Sequence, residues 1–193
     1  MTSMLINQPT NTDIISLDDH RFLRLQEKQL ILENNLSTLL SRAKDNEHII
    51  NGLHKLALVC LQANTLQQLR NQVRALLLEH FQLPHVELAL FHKKSHAKAI
   101  NPALISATQS MHEPLCGYYA HASVIALFPQ KIKLQSFAQL PLFTVHPSGK
   151  SKQTLGLLVF ASEDGQHFQA NADHHYLQKM GELVSAAVGR IKD

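Results

Sequence analysis

Apolar and small residues recur at alternating steps of three and four along the chain from Phe22 to Cys60. A strict seven-residue repeat keeps one stripe of a helix facing a partner helix, and this is the pattern of a coiled coil. Residues 16–62 are therefore predicted to form a dimerisation helix, most simply in a parallel homodimer. The a positions of its seam are Phe22, Gln29, Leu36, Ala43, Ile50 and Ala57, and the d positions are Leu25, Leu32, Leu39, Asn46, Leu53 and Cys60.

The charges that flank this seam favour a parallel pair. In a parallel pair, a g residue of one chain meets the e residue five positions further on in the other chain. Lys28 would then meet Glu33, and Arg42 would meet Glu47. Both contacts join opposite charges.

Two polar residues, Gln29 at a and Asn46 at d, interrupt the apolar seam. A buried polar side chain in a seam costs stability, but it can fix the register and the number of helices. An antiparallel four-helix arrangement stays open as an alternative, because Leu40 and Ile49 widen the apolar stripe.

The pattern after this helix predicts an α+β domain in which helices cover a mainly antiparallel sheet. A second amphipathic helix is predicted after the break at Asn64-Thr65, and a final helix ends at Ile191. The near-continuous apolar run of the last strand predicts burial on both of its faces. Strands are predicted at 85–92, 114–119, 134–144 with a break or an end near Pro141, and 153–162.

The end of the chain resembles a GAF domain, the small-molecule sensory fold of many bacterial signalling proteins. This resemblance rests on the strand Leu155-Gly156-Leu157-Leu158-Val159-Phe160-Ala161-Ser162, on Phe168, and on the helix from Tyr176 to Leu183. A narrower resemblance is to an uncharacterised proteobacterial family, domain of unknown function 484. It is carried by Pro114-Leu115-Cys116-Gly117, Leu127-Phe128, Asn46-Glu47 and the run from Ser136 to Leu142. The family implies a GAF-like fold and no established activity, so it supplies no catalytic residues.

Three segments are predicted from these patterns and from the resemblance. Residues 1–15 are polar and are expected to be a disordered tail. Residues 16–62 form the coiled-coil dimerisation helix, and residues 63–193 form the GAF-like domain.

A GAF-like fold can hold a ligand between its sheet and its short helices. Ligand pockets are mostly apolar with a few polar groups, so the candidates for the wall are Cys116, Tyr118, Tyr119, His121 and Phe137. The simpler interpretation is that these side chains fill a small core.

The residues point to no enzyme, cofactor or metal. None of the seven glycines belongs to a phosphate-binding motif. Of the thirteen histidines, His174 and His175 would point about 100° apart on a helix and would not share an ion. His92 and His96 flank the end of a predicted strand, with Lys93 and Lys94 between them. A redox role for Cys116 is a weak alternative, because GAF-fold enzymes that reduce methionine sulfoxide use more than one such cysteine.

Composition indicates a cytoplasmic protein. The chain has 193 residues and two cysteines, and its mean hydropathy is -0.11. It has no signal peptide pattern and no apolar window of the roughly eighteen residues that a membrane span needs. Its short basic clusters are read as solvated loops or as contacts for an anionic partner, and nucleic acid is not expected because no dense basic stripe with aromatics occurs. The clusters are Lys93, Lys94 and Lys98; Lys131 and Lys133; and Lys150 and Lys152.

The resulting hypothesis is a non-enzymatic, homodimeric, GAF-like sensory or regulatory module that binds a small ligand or a protein and signals through its N-terminal helices. The first alternative is an adaptor without a ligand, which binds a protein or nucleic acid through a sheet edge or the basic loops. The second is a thiol-based redox enzyme centred on Cys116.

Overall fold

One long helix, α1 (Leu17–Gln62), opens the computed structural model, which describes residues 17–91, 101–145, 152–169 and 174–191. The prediction of a long N-terminal helix is confirmed. The chain divides after Asn46 into two units, and the second of them, from Glu47 onward, is compact. The predicted tail at residues 1–15 lies outside the described residues.

The break predicted at Asn64-Thr65 is confirmed by the cap of the next helix, α2 (Leu66–His80). The Thr65 hydroxyl oxygen accepts a hydrogen bond from the backbone N–H of Gln68 at 3.2 Å. This bond satisfies one of the N–H groups that a helix leaves open at its start.

The strands form one four-stranded antiparallel sheet in the order β1-β4-β3-β2. The predicted α+β architecture, a mainly antiparallel sheet flanked by helices and preceded by a long helix, is confirmed. The remaining elements are β1 (His85–Leu90), α3 (Pro102–Gln109), β2 (Leu115–Gly117), α4 (Ala122–Ile125), β3 (Ser136–Val145), β4 (Lys152–Ser162) and α5 (His174–Arg190).

Strand β4 lies between β1 and β3, which explains its almost uninterrupted apolar sequence. Leu158 and Phe160 are buried in the core on one face of the sheet, and Leu157 and Val159 are buried in the core on the other. The predicted burial on both faces is therefore confirmed.

The predicted interruption near Pro141 is wrong, because β3 runs through this residue and pairs Pro141 with Leu157 of β4. Strand β2 covers β3 only from Phe137 to Gln139. At Pro141, β3 therefore has a described partner on the β4 side only. Proline is tolerated at such an edge, where its missing N–H need not break a ladder. A register shift follows between Leu142 and Phe143.

Each face of the sheet carries its own core. The α1–α5 core lies under the end of α1, α2 and α5 and includes Leu56, Leu69 and Val184. The α3–α4 core lies on the other face and includes Leu104, Val124 and residues of β3 and β4. The two faces therefore offer different places for a functional site.

The α1–α5 core includes residues from the C-terminal end of the predicted seam. Cys60, a d position, is buried in this core, and Leu53, also a d position, packs against it. Leu56, at a g position, is completely buried in the same core. The face of α1 that meets its own unit here comprises g, c and d positions, so Cys60 is not free to face a second chain, whereas the d residues nearer the start of the helix are exposed.

None of the helices in the described part of the chain combines the length and hydrophobicity that a membrane crossing requires.

Candidate functional site

The first part of α1, residues 17–46, exposes an apolar seam to solvent. Its large seam residues are each more than half exposed, and no described residue of the chain covers them. A polar helix surface would be stable in water, but an exposed row of large apolar side chains at heptad spacing is typical of a surface that pairs. These residues are Phe22, Leu25, Leu32, Leu36 and Leu39.

The polar seam positions are also exposed in the single chain. The side-chain amide of Gln29 donates a hydrogen bond to the Glu33 carboxylate one turn on, at 2.8 Å. Ala43 and Asn46 lie further along the same stripe and are exposed. The polar interruptions therefore belong to the same surface as the leucines.

Leu40, at an e position beside the seam, is also more than half exposed and widens the apolar stripe on this part of α1. Leu30 and Ile31, at b and c positions, are exposed as well but lie outside the seam. A stripe wider than the a and d positions can contact more than one helix, so the antiparallel four-helix alternative remains compatible with the geometry.

At the start of the compact unit, α1 is held against the end of α2 by two stacked histidines. The ring centroids of His48 and His80 lie 4.3 Å apart. The Nε2 of His48 donates to the carbonyl oxygen of His80 at 3.0 Å, and the Nε2 of His80 donates to the carbonyl oxygen of His48 at 3.2 Å. The ammonium of Lys55 lies 3.3 Å from Nδ1 of His80. This arrangement holds the C-terminal part of α1 against the end of α2.

Gly52 allows this close approach of α1 and α2. A Cβ atom at position 52 would overlap the ring of Phe81 and lie 2.7 Å from Cδ2 of His80. The sequence signal for the contact was a glycine inside a long helix, which by itself indicates only a lower helix propensity.

The five pocket candidates do not meet in one cavity. Cys116 is buried in the α1–α5 core and Phe137 in the α3–α4 core, on opposite faces of the sheet. Tyr118 and Tyr119 are exposed. His121 caps α4, because its Nδ1 accepts the backbone N–H of Ser123 at 3.2 Å. A structural role therefore accounts for three of the five.

The α3–α4 face, where a ligand was predicted, is packed with side chains. Its described residues form a continuous apolar cluster between the sheet and the two short helices. The members are Leu104, Ala120, Val124, Phe128, Phe137, Leu157, Val159 and Ala161, with Ala89, Phe91, Met111, Leu127 and Leu134 against them. The interpretation of Phe137 as a core residue fits this packing.

Gln139 is a polar exception that the sequence analysis missed. It is only 1% exposed, and it lies on the same face of β3 as Phe137, since side chains alternate along a strand. Its amide nitrogen donates to the carbonyl oxygen of Tyr119 at 3.1 Å. Its Oε1 is buried and has no hydrogen-bond partner among the described residues. A buried acceptor left without a donor costs about 1–3 kcal/mol, which makes Gln139 the chemically notable side chain of this face.

Both cysteines are buried, unpaired thiols. Burial raises the pKa of Cys60 to about 11, against a smaller lowering by the charge of Arg190. Burial also raises the pKa of Cys116 to about 11. The thiolate is the reactive form of cysteine, so both groups are protonated and weakly nucleophilic at neutral pH.

Within the described ranges, no group of three or more His, Cys, Asp or Glu side chains is placed to hold a metal ion. His92 and His96 lie outside those ranges, together with Lys93, Lys94, Lys98 and Lys150. Lys131 and Lys133 are described and exposed.

The family model for the protein of unknown function DUF484 matches residues 4–193. The chain belongs to this family. Nothing among the curated proteins matches the chain. Among solved structures, the chain is similar to the free methionine-R-sulfoxide reductase from Neisseria meningitidis, which was solved in complex with its substrate. That similarity has 16% sequence identity and a TM-score of 0.49, and covers 73% of this chain and 88% of the reductase chain. Likeness at this level says nothing about the chemistry of a DUF484 protein.

Proposed function

We propose that this DUF484 protein is a non-enzymatic, homodimeric regulatory module whose N-terminal helices pair in parallel. The observation that carries the proposal is the exposed heptad seam of α1 between Phe22 and Ile50. Pairing would remove this apolar surface from water, at a gain of roughly 25 cal/mol for each Å² buried.

Flanking charges support the parallel direction. Arg42 and Glu47 are both exposed in the single chain, as are Lys28 and Glu33. A parallel pair brings each cation next to a carboxylate of the other chain, and such pairs select orientation more than they add affinity.

In the proposed module, the compact unit binds the ligand or protein partner. A ligand or protein that changes its packing would act on α1 through the contact between His48 and His80, which joins this helix to α2. The buried acceptor of Gln139 supports a small ligand with an N–H or O–H donor on the α3–α4 face.

The packed α3–α4 core supports a second candidate, an adaptor without a ligand. Such an adaptor would bind its partner through β1, an edge strand of the described sheet, or through the exposed lysines Lys131 and Lys133.

Native mass spectrometry of the purified protein separates the candidates. A bound small molecule that is lost in Gln139→Leu supports the sensor, and the bare chain mass supports the adaptor.

Buried thiols support the non-enzymatic part of the proposal. With pKa values of about 11 for both cysteines, labelling of the folded protein by a thiol reagent at pH 7 should be slow. Unfolding in guanidinium should make both react fast. Fast labelling of Cys116 in the folded protein would instead support the redox alternative.

Sedimentation equilibrium tests the homodimer. The wild-type chain should have twice the 21.7 kDa mass of one chain, and the double variant Leu32→Glu/Leu39→Glu should have the mass of one. Two carboxylates buried in the seam without partners would raise the dissociation constant by at least about 100-fold. Leu30→Glu is the matched control, because Leu30 is equally apolar and exposed but lies at a b position. A wild-type monomer would contradict the proposal.

A further inference from the structure

A groove of about 310 Å³ lies in the compact unit between the C-terminal part of α1 and α5. It is lined by Leu53 of α1 and by Lys179, Glu182, Leu183 and Ala186 of α5. Three of these residues are apolar and two are charged.

The two charged residues of the groove are already paired with each other. The Lys179 ammonium donates to the Glu182 carboxylate at 2.9 Å, and this bond lowers the pKa of Glu182. The groove therefore has no unpaired charge among these residues that would select a strongly charged occupant. Its chemistry fits an apolar helix surface.

The heptad repeat leads directly to this groove. Ile50, an a position, is 58% exposed, and Leu53, the next d position, lines the groove. Beyond Leu53 the next d residue, Cys60, turns into the chain's own core. A second helix that follows the seam past Ile50 therefore meets the compact unit instead of another open d position.

Parallel pairing gives the side from which a second helix would approach. The residues of α1 that face its own unit here include Ile49 and Leu56, both g positions. In a parallel pair the e residues of one chain meet the g residues of the other. The e residues His54 and Leu61 of the second copy would thus point towards the compact unit of the first. Both are exposed in the single chain.

We propose that this groove is the docking site for the C-terminal part of α1 from a second copy of the chain. The compact unit then contributes to pairing. This inference rests on the parallel dimer of the proposed function. The d position of Leu53 in the groove, the exposed Ile50 and Leu61, and the mutual pairing of Lys179 and Glu182 favour a second copy as the occupant.

Ala186→Glu tests the docking site. Ala186 is exposed on α5, so the substitution should leave the folding of the single chain nearly unchanged. It places a carboxylate in the apolar groove, and it should raise the dissociation constant of the full-length dimer at least about tenfold in sedimentation equilibrium. Leu61→Glu, which alters the proposed occupant instead of the groove, should have a similar effect.

Ala103→Glu is the matched control. Ala103 is an exposed alanine in the first turn of α3, on the opposite face of the sheet. Its substitution should leave the dissociation constant of the dimer unchanged. Circular dichroism checks that each variant is folded.

The outcomes separate the two claims. If Leu32→Glu/Leu39→Glu dissociates the dimer while Ala186→Glu and Leu61→Glu do not, the docking site is wrong and the helix-mediated dimer stands. If the wild-type chain is a monomer, both are wrong. If Ala186→Glu dissociates the dimer but the Leu32→Glu/Leu39→Glu variant does not, the groove is an interface and the seam is not.

Discussion

The two parts of α1, before and after Asn46, carry one heptad repeat but differ in what the chain itself buries. Before Asn46, the seam leucines such as Leu32 are exposed in the single chain, whereas Leu56 is completely buried in the chain's own core. The spacing of apolar residues is the same on both sides of Gly52. The difference shows that a heptad repeat marks an apolar stripe but does not decide which positions the chain itself buries, since the completely buried Leu56 is a g position and the a position Ile50 is 58% exposed.

The largest expected change in stability comes from a substitution in the buried face of the second part of α1. Leu56→Ala should lower the free energy of unfolding by about 2–5 kcal/mol, because it removes a fully buried side chain and leaves a cavity. Urea denaturation followed by circular dichroism measures this. Leu36→Ala is the comparison: at concentrations low enough to keep the chain monomeric, it should change the unfolding free energy by less than about 0.5 kcal/mol. Equal effects would mean that the two parts are buried alike.

Substitution of Gly52 should change the free energy of unfolding by less, and the sign of the change tests the contact between α1 and Phe81. Gly52→Ala should destabilise by about 1–3 kcal/mol, because its Cβ would overlap Phe81. Helix propensity alone predicts the opposite, a gain of up to about 1 kcal/mol. Gly189→Ala is the matched control on α5, where the nearest atom to an added Cβ is the Thr144 hydroxyl oxygen at 3.9 Å. It should be neutral or stabilising. Stabilisation by Gly52→Ala would contradict the close approach of α1 and α2.

The smallest expected effect concerns the polar seam residue at the end of the exposed part. Asn46→Leu should raise the melting temperature of the proposed dimer and make its oligomeric state less specific, because an apolar d residue removes the penalty of burying an amide. Differential scanning calorimetry and sedimentation velocity measure the two properties. An unchanged melting temperature together with a clean dimer would count against the placement of Asn46 in the seam.

Much of the fold could be predicted because local patterns determine it. Local patterns predict several elements and their buried faces. Examples are the cap at Thr65, the apolar run of β4 and the amphipathic pattern of α5. The continuation of β3 through Pro141 could not be predicted, since it depends on how far the short strand β2 extends along β3. That is a property of the sheet and not of the segment.

The candidate site was less predictable. The sequence placed Cys116 and Phe137 on one pocket wall, but strand alternation and pairing put them on opposite faces of the sheet. The stacking of His48 on His80 joins residues far apart in the chain, and Gln139 is notable only because its neighbours leave its Oε1 without a donor. Such features arise from tertiary contacts that no local pattern encodes.

The most direct test of parallel pairing is disulfide cross-linking of Leu25→Cys. Leu25 is a d position near the start of the seam, and only a parallel pair in register brings its two copies close enough for a disulfide. The native thiols of Cys60 and Cys116 are buried and should not compete. Mild oxidation should therefore convert most of the chain into a covalent dimer on non-reducing gels. If Leu25→Cys stays uncross-linked, while a mixture of Leu25→Cys and Ile50→Cys chains forms the covalent dimer, the helices are antiparallel and the account is contradicted.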